Sequence, residues 1–433
     1  MIETQPPDDA PVSRSPGVAL GTFDVVMCGK GKEVKGRANF FYNHQQLCSV
    51  WLELSVDLQG WPQGTELELT APGVLQPFPV SMSGIHMAMQ DGMMTACAVV
   101  DPLREPIESV AAPALQHVSC AVLDSPISKH GLHTSGGAFT IRCAQFEAVF
   151  APPSDTHSAI ANELGSTPHM LSQSITLREC GGHPFGSSCA STAINTIHDI
   201  LSFAAGRWVG LTLIEGFDSS GKRGWFQFGT TKSSEAYRQV SWFDQDHPEW
   251  LNGLCDGLLA LQTDEQAADI MHRVLYWYSR SNANRIGVDG ALILTQCALE
   301  LLSWFVIVKR TRALSEGGYG QLADASEKVR LMLSLLGIPA PLPPGLTKLA
   351  ALNREWKNVA EAIVKGRNYL VHPTQSRSGK LTETKKYPWY ELWVLGRWVL
   401  ELVILRLLDY KGDYLNRTRL MEFQRMERVP WAR

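Results

Sequence analysis

The chain has 433 residues, of which 45% are hydrophobic and 19% charged, so it can bury sizeable cores and global disorder is excluded. Its length is typical of two or three domains. The formal net charge is −4, from 39 basic and 43 acidic residues, and by itself favours neither a nucleic-acid nor a membrane partner. The charge is unevenly divided, however. Residues 1–260 hold 14 Lys and Arg against 26 Asp and Glu, a net of −12, whereas residues 261–433 hold 25 against 17, a net of +8. This division indicates an acidic part joined to a basic part that can meet phosphates.

The nine cysteines are scattered along the chain, and no Cys-x-x-Cys pair occurs. The spacing therefore signals neither a zinc ribbon nor a redox pair, and scattered free thiols suit a reducing cytosol. The first residues, from Met1 to Asp9, lack the basic start and the apolar run of a signal peptide. The sequence predicts a cytoplasmic protein.

The N-terminal part is predicted to be rich in β-strands. Residues 1–16 contain many Pro, Asp and Ser residues and are predicted to form a disordered tail. From residue 17 to residue 245, runs of β-branched and aromatic residues alternate with Gly, Pro and Asp turns, which predicts a β-rich sensing or regulatory domain built as a sandwich or barrel. One helix is predicted at Ser188–Ala205. The predicted strands are Val18–Met27, Gly36–Tyr42, Ser49–Asp57, Glu66–Thr70, Met93–Val100, Phe139–Phe150, Trp208–Glu215 and Gly224–Thr230.

Near residue 262 the pattern changes to apolar residues at helical spacing. Thr263 is a predicted N-cap, and Gln266 three residues later completes a capping box. Residues 262–412 are therefore predicted to form an all-α bundle, followed by a basic C-terminal tail at residues 413–433. The predicted helices are Thr263–Ser281, Val288–Arg310, Leu322–Gly337, Leu346–Val371 and Trp389–Tyr410. The fold class is α+β multidomain, with the β-rich part first.

Two helical segments are apolar enough to suggest a membrane. Ala291–Val308 contains Gln296 and Glu300 near its centre. Trp389–Leu408 carries four charges within about half of the helix circumference, the amphipathic pattern of a soluble helix. These charges are Glu391, Arg397, Glu401 and Arg406. Since a charge at the bilayer centre costs roughly 2.5–3.5 kcal/mol, buried bundle helices are predicted and no membrane partner is expected.

The sharpest local motif is Lys365-Gly-Arg367-Asn368-Tyr-Leu-Val-His372-Pro373. Pro373 disfavours a helical conformation at His372, so the imidazole is predicted to lie where the helix ends and a groove can open. Arginine supplies a forked cation for a phosphate, histidine can move a proton at neutral pH, and the Asn368 amide can orient either partner or a ribose hydroxyl. These groups are sufficient in kind for metal-free RNA cleavage, in which the 2′-hydroxyl is the nucleophile.

The spacing of Arg and His alone is weak evidence. Roughly 0.7 Arg-x4-His pairs are expected by chance in a chain of this composition, and a second pair, Arg178 and His183, exists. Gly181-Gly182 predicts a loop there, in the β-rich part, so that pair is interpreted as a chance match. Requiring Asn directly after Arg lowers the chance expectation to roughly 0.02. Outside a helical bundle, Arg367 and His372 would be interpreted as a surface arginine and a helix-ending histidine.

A basic all-α domain that carries Arg-Asn-x-x-x-His resembles the HEPN superfamily, in particular the Apea-like HEPN domains of bacterial proteins. The resemblance covers residues 262–412. Besides the motif it depends on Gly290–Trp304 in an early helix, the proline-broken connection Pro339–Gly345 and Tyr276-Trp-Tyr278. The N-terminal part loosely resembles the β-rich, ApeA-N-like domains fused to such units, although no diagnostic motif can be quoted there.

The resemblance implies a metal-independent endoribonuclease with Arg367, His372 and Asn368 as its catalytic residues. Such an enzyme would cleave RNA, tRNA included, by attack of the 2′-hydroxyl and would leave 2′,3′-cyclic phosphate ends. The resemblance further implies no cofactor, a homodimer through the helical domain in which two motifs line one cleft, and a role as a toxin or anti-phage defence effector. A phage or cellular trigger would act at the N-terminal domain.

Weaker candidates surround the motif. Glu300 resembles an acidic position of the family and is interpreted as a supporting residue, with a structural carboxylate as an equal alternative. The loop at residues 374–386 has four basic residues against Glu383 and is predicted either to bind RNA phosphates or to be a solvated loop. The four are Arg377, Lys380, Lys385 and Lys386. His130 and His133 have His-x-x-His spacing but no third ligand nearby, so no metal site is predicted.

Two alternatives stay open. The first is a non-catalytic HEPN scaffold or interaction protein whose β domain binds a ligand or partner, because the superfamily includes members without activity. The second is a carbohydrate- or nucleotide-binding enzyme with its site in the β domain. In the nuclease interpretation, the acidic part could hold the basic part in check, a hypothesis that depends only on the charge division.

Overall fold

The computed structural model describes residues 18–29, 32–42, 49–56, 66–70, 78–90, 93–100, 107–134, 136–153, 171–230, 232–234, 240–283, 286–351, 356–371, 388–419 and 425–432. Its N-terminal half is rich in β-sheet and its C-terminal half is mainly helical. This order confirms the predicted α+β multidomain class.

The first six strands close into an antiparallel barrel in the order β1-β2-β3-β6-β5-β4. At the closure, Val26 pairs with Thr70, whose hydroxyl donates to the Val26 carbonyl at 3.1 Å. Five of these six strands were predicted. Strand β5 was missed because Pro79, Gly84 and two serines, Ser81 and Ser83, interrupt its apolar pattern. The barrel strands are β1 (Val18–Gly29), β2 (Lys32–Tyr42), β3 (Ser49–Val56), β4 (Glu66–Thr70), β5 (Phe78–Gln90) and β6 (Met93–Val100).

The next seven strands form a second antiparallel sheet in the order β7-β13-β12-β8-β11-β10-β9. The single strand predicted at Phe139–Phe150 is in fact a hairpin, turned at Ala144 with a φ of 53°. The range predicted as one β-rich domain thus contains two separate sheets. The elements of this region are β7 (Ile107–Glu108), β8 (His117–Leu123), α1 (Lys129–Thr134), β9 (Phe139–Cys143), β10 (Phe146–Ala151), β11 (Leu171–Glu179), α2 (Ser187–Ala205), β12 (Leu211–Phe217) and β13 (Arg223–Thr230).

A short 3₁₀-helix, Pro248–Leu251, leads into the helical domain, whose second helix has its N-cap at Asp264, one residue later than predicted. The Asp264 carboxylate caps that helix by accepting from the Ala267 amide at 3.0 Å. The Thr263 hydroxyl instead donates to the Ala260 carbonyl in the preceding helix, so the predicted capping box is wrong. The helices are α3 (Leu254–Gln262), α4 (Glu265–Asn282), α5 (Gly287–Trp304, extended by a π-helical turn Phe305–Arg310), α6 (Glu316–Gln321), α7 (Ala325–Leu336), α8 (Thr347–Ala351), α9 (Val359–Val371) and α10 (Trp389–Leu407).

Helix α10 is buried on nearly all sides and packs against α4, α5 and α9. Its buried residues include two charged ones, Arg397 at 5% exposure and Glu401 at 0%. Arg397 Nη1 donates to Asn282 Oδ1 at 2.6 Å, and Glu401 Oε1 accepts from the Tyr278 hydroxyl at 2.6 Å. The predicted amphipathic pattern of this helix is therefore wrong, because these two charges face partners inside the protein rather than water.

Within the described residues, one segment is long and apolar enough to cross a bilayer by length and composition, namely Gly287–Arg310. Of its most apolar window, 61% is buried inside the protein. Core helices of soluble proteins have the same composition, so this segment is only weak evidence for a membrane span.

The second sheet and the helical domain share one hydrophobic core. Trp242 is completely buried at the junction, with its ring centroid 5.2 Å from that of Phe203 on α2 and 5.6 Å from that of Tyr410 after α10. Its indole N–H donates to the Phe203 carbonyl at 3.3 Å. The interval between residues 245 and 262, where the sequence divides the chain, therefore does not divide the core.

The segment predicted as a basic tail, residues 413–433, is folded where the structure describes it. Strand β14 (Asp413–Leu415) pairs in antiparallel fashion with β15 (Met426–Arg428). Between them the Arg417 side chain is 1% exposed and forms an ion pair with Glu401. This arginine belongs to the core and is not available to bind phosphates.

Candidate functional site

Helix α9 carries the first two residues of the predicted motif. It begins after Asn358, whose side-chain oxygen accepts from the Glu361 amide at 2.9 Å. Its apolar face is buried, and at Gly366 it approaches α10 so closely that an added Cβ would lie 2.9 Å from Leu392 Cδ1. Because that face is occupied by packing, Arg367 and Asn368 lie at half-buried positions on the rest of the helix.

Arg367 and Asn368 contact each other directly. Arg367 Nη1 donates to Asn368 Oδ1 at 3.2 Å. The amide therefore holds one end of the guanidinium, which leaves a planar cation at a position that is neither fully exposed nor fully buried. Such a cation can form bidentate hydrogen bonds to a phosphate.

Helix α5 contributes polar residues opposite α9. Gln296 is 2% exposed, and its Nε2 donates to Glu300 Oε1 at 2.6 Å. Among the described residues, no group donates a hydrogen bond to Gln296 Oε1. The Glu300 carboxylate is thus oriented by a residue one turn earlier on the same helix.

The pKa of Cys297 on α5 is affected by charged residues on two helices. Burial raises the pKa of its thiol, the negative charge of Glu300 raises it further, and the positive charge of Arg367 lowers it. Both charges therefore act on the same half-buried thiol, Glu300 from α5 and Arg367 from α9. A carboxylate can accept a hydrogen bond from a ribose hydroxyl, and a guanidinium can donate to a phosphate, so the two groups suit different parts of one nucleotide.

Tyr319 on α6 extends this arrangement. Its hydroxyl lies 2.8 Å from Ser303 Oγ on α5. Burial is the main cause of the raised pKa of Tyr319, the hydrogen bond with Ser303 opposes it, and the negative charge of Glu300 adds to it. We call this group of polar side chains the candidate face. It comprises Gln296, Cys297, Glu300, Ser303, Tyr319, Arg367 and Asn368.

Of the predicted site residues, the structure brings Arg367, Asn368 and Glu300 to the candidate face. Val371 is the last described residue of α9, one position before His372 in the sequence. The remaining predicted residues lie outside the described part of the chain. They are His372, Arg377, Lys380, Lys385 and Lys386.

Sequence reasoning did not select Gln296, Cys297, Ser303 or Tyr319 as site residues. Gln296 and Ser303 lie four residues before and three residues after Glu300, so helical spacing could have placed them beside it. Tyr319 follows Gly317-Gly318 in a short helix, and no sequence pattern indicates that it contacts α5. Its position depends on the tertiary fold alone.

The second Arg-x4-His pair spans the end of β11, which contains Arg178, and the turn after it, where the two glycines predict a loop and where His183 lies. Gly182 has a φ of +76°, and Glu179 Oε2 accepts from the His183 amide at 2.9 Å. Arg178 and His183 are both exposed. In the described part of the chain, no group of three or more His, Cys, Asp and Glu side chains could hold a metal ion.

Comparison with known proteins gives two family matches. The YopA central domain matches residues 120–240, and the YopA C-terminal domain matches residues 264–427. A similar curated protein is the "SPbeta prophage-derived uncharacterized protein YopA" of Bacillus subtilis (strain 168), which is 28% identical over 306 residues, 70% of this chain and 68% of that protein. No solved structure matches the chain. The C-terminal match contains every residue of the candidate face, and none of these descriptions names an activity or a HEPN domain.

Proposed function

We propose that this chain is a metal-independent endoribonuclease of the HEPN type that acts on RNA, tRNA included, in the cytoplasm. The observation that carries the proposal is the packing of α9, which holds Arg367 and Asn368, against α5, which holds Glu300. The motif residue Asn368 contacts Arg367 directly. His372 completes the motif, five positions after Arg367 in the sequence.

In the proposed reaction, a ribose 2′-hydroxyl attacks the adjacent phosphorus and the P–O5′ bond breaks. The products are a 2′,3′-cyclic phosphate and a 5′-hydroxyl, so no water is consumed in this step. His372 accepts the proton of the 2′-hydroxyl, and a second imidazole donates one to the leaving oxygen. In a homodimer formed through the helical domain, the second copy of the motif would supply that imidazole.

Arg367 stabilises the negative charge that develops on the phosphate in the transition state. Asn368 fixes the plane of the guanidinium through its side-chain oxygen. Glu300, held by Gln296, accepts a hydrogen bond from a ribose hydroxyl next to the scissile bond. No metal is required, because the nucleophile belongs to the substrate.

The proposal includes a role as a toxin or defence effector. One similar protein is described as prophage-derived, which supports a search for activity during phage infection. The acidic N-terminal part, with a net charge of −12 over residues 1–260, would restrain the helical domain until a trigger binds.

The decisive experiment incubates the purified full-length protein with total RNA in EDTA, with and without extract from phage-infected cells. Wild type is compared with Arg367→Ala and His372→Ala. The matched control is the double variant Arg178→Ala/His183→Ala, which removes the same spacing from an exposed turn. We expect EDTA-resistant cleavage with cyclic phosphate ends, lost in both motif variants and kept in the control.

Cleavage that disappears in EDTA, or that persists in both motif variants, would contradict the mechanism. No cleavage by any protein under either condition would favour a non-catalytic scaffold. That alternative makes its own prediction, since a scaffold would capture the same partners with Arg367→Ala as with wild type.

A further inference from the structure

The candidate face continues beyond Glu300 to a lysine on α7. Lys328 Nζ lies 4.6 Å from the centroid of the Tyr319 ring, a cation–π arrangement. Both side chains are half-buried. Among the described residues Lys328 has no ion-pair partner, whereas Arg330 on the same helix pairs with Glu327. Within the described part of the chain, the contact that holds the Lys328 ammonium group is the one with the aromatic ring.

This pair is attached to the helix that carries Glu300. The Tyr319 hydroxyl lies 2.8 Å from Ser303 Oγ, one turn after Glu300 on α5. Helix α5 packs against both α7 and α9, so Lys328 and Arg367 lie on two neighbours of the helix that carries Glu300.

An aromatic ring beside a lysine has the chemistry to bind one nucleotide of a single strand. A base can stack on a tyrosine ring whatever its sequence, and an ammonium group binds a phosphate as a point charge. The lysine stem is flexible, so its ammonium can leave the ring for a phosphate and free that ring face for the base. A ring for a base, a cation for a phosphate and the nearby Glu300 carboxylate for a ribose hydroxyl together match the parts of a nucleotide. This combination therefore favours RNA over a protein partner.

We propose that Tyr319 and Lys328 form a subsite for a nucleotide that flanks the scissile bond of single-stranded RNA, with the base on the Tyr319 ring and a phosphate on Lys328. The inference rests on the proposed function, because it takes Arg367 and Glu300 as the cleavage site. It adds that α6 and α7 hold one flanking nucleotide, and it predicts sequence-tolerant binding of that nucleotide.

The test measures binding of a fluorescent single-stranded 2′-O-methyl oligoribonucleotide to the full-length protein across a range of salt concentrations. This probe lacks the nucleophile and stays intact, so binding is measured separately from cleavage. Tyr319→Leu should weaken binding roughly 5- to 150-fold. Lys328→Gln should reduce the slope of log K against log salt by about 0.7, the value for one phosphate contact on a single strand.

Arg330→Gln is the matched control, since it removes the same charge from a different side of α7, where the Arg330 side chain is 52% exposed. It should leave affinity and salt slope unchanged. Tyr319→Phe keeps the ring and removes the hydroxyl, so it should bind almost as wild type. If Tyr319→Leu fails to fold, the test uses Lys328→Gln, which should lower the salt slope, and Lys328→Arg, which should restore it.

The subsite is wrong if wild type does not bind the probe, or if Lys328→Gln and Arg330→Gln change binding equally. A parallel cleavage assay with unmodified RNA separates the two proposals. Binding that depends on Lys328 without any RNA cleavage supports the subsite and contradicts the nuclease. Cleavage by wild type, with Tyr319→Leu and Lys328→Gln binding and cleaving normally, supports the nuclease and overturns the subsite.

Discussion

Arg417 and Glu401 form a two-point ion pair in which both side chains are 1% exposed. Arg417 Nε donates to Glu401 Oε2 at 2.8 Å, and its Nη2 donates to Oε1, which also accepts from the Tyr278 hydroxyl. Since Arg417 lies between β14 and β15, this pair attaches the C-terminal segment to the central helix α10. The burial of a charge here is tolerated because both oxygens of the carboxylate are occupied.

Removal of Arg417 should therefore destabilise the protein strongly. Arg417→Met leaves Glu401 buried without its cation, and we expect a loss of about 3–5 kcal/mol in the free energy of unfolding by urea. The double variant Arg417→Met/Glu401→Leu should lose less than the single variant. The control Arg428→Met breaks the exposed contact of Arg428 with Asp413 and should cost no more than about 1 kcal/mol. Equal losses in both single variants would show that the ion pair does not hold the segment.

The alkylation rate of Cys297 should depend on the charges of Glu300 and Arg367, whether or not the protein is an enzyme. The thiolate is the reactive form, so a raised pKa slows alkylation at a given pH. Arg367→Ala removes a charge that lowers the pKa of Cys297 and should slow its alkylation, whereas Glu300→Gln should speed it. We expect changes on the order of 3- to 10-fold, measured by mass spectrometry between about pH 7 and pH 10.

Two other cysteines provide controls in the same experiment. Exposed Cys189 on α2 should react at one rate in all variants. Burial raises the pKa of Cys120 to about 12, so that thiol should stay unmodified until the protein unfolds. If Arg367→Ala left the rate at Cys297 unchanged, Arg367 would not face the thiol in solution.

Two glycines should respond to alanine in opposite directions. A Cβ at Gly257 on α3 would lie 2.3 Å from the Leu408 carbonyl oxygen at the end of α10, so Gly257→Ala should cost roughly 1–3 kcal/mol despite its better helix propensity. A Cβ at Gly317 on α6 would meet nothing within 4 Å, and Gly317→Ala should stabilise by up to about 1 kcal/mol. Thermal unfolding of both variants measures the difference. A stabilising Gly257→Ala would contradict the close packing of α3 on α10.

Two N-terminal truncations should show whether a change in activity comes from release of the helical domain or from its unfolding. A fragment that begins at residue 261 loses Phe203 and Trp242, whose rings lie 5.3 Å from Tyr278 and 5.6 Å from Tyr410 respectively, and it should be insoluble or molten. A fragment of residues 107–433 keeps these contacts and should unfold cooperatively in calorimetry. If residues 1–106 contribute to the restraint of the helical domain, RNA cleavage should rise in this longer fragment. A folded fragment from residue 261 would show that the shared core is dispensable.

Much of the secondary structure was predictable because its pattern is local. Glu66–Thr70 and Met93–Val100 have the predicted bounds, since alternation or a β-rich run ends at a turn residue. Strand Leu171–Glu179 was missed because Gln173 takes a core position, where it bonds to Ser125 and to the Ile127 carbonyl. When a buried polar residue forms its hydrogen bonds with a distant part of the chain, it interrupts the alternation of apolar and polar residues by which a strand is predicted.

The candidate face was predictable only in part. The helix that carries Arg367 and Asn368 follows from its own periodicity, although the predicted Leu346–Val371 begins with a separate short helix, Thr347–Ala351. The buried Arg397 resembled a solvent-facing charge because its acceptor, Asn282, is more than a hundred residues away. The contact of Tyr319 was equally unpredictable, because its hydrogen-bond partner Ser303 lies on another helix. Contacts between elements have no local signature.

The position of Trp242 has a consequence for chimeric proteins. The two family matches stop at residue 240 and resume at residue 264, so the indole that joins the two halves lies in the interval that neither covers. If helical domains were exchanged between relatives at those borders, the new helical domain would lack the aromatic residues that pack against it in its own protein. We expect such chimeras to fold only when Trp242 and its ring partners, Phe203 and Tyr410, come from the same parent.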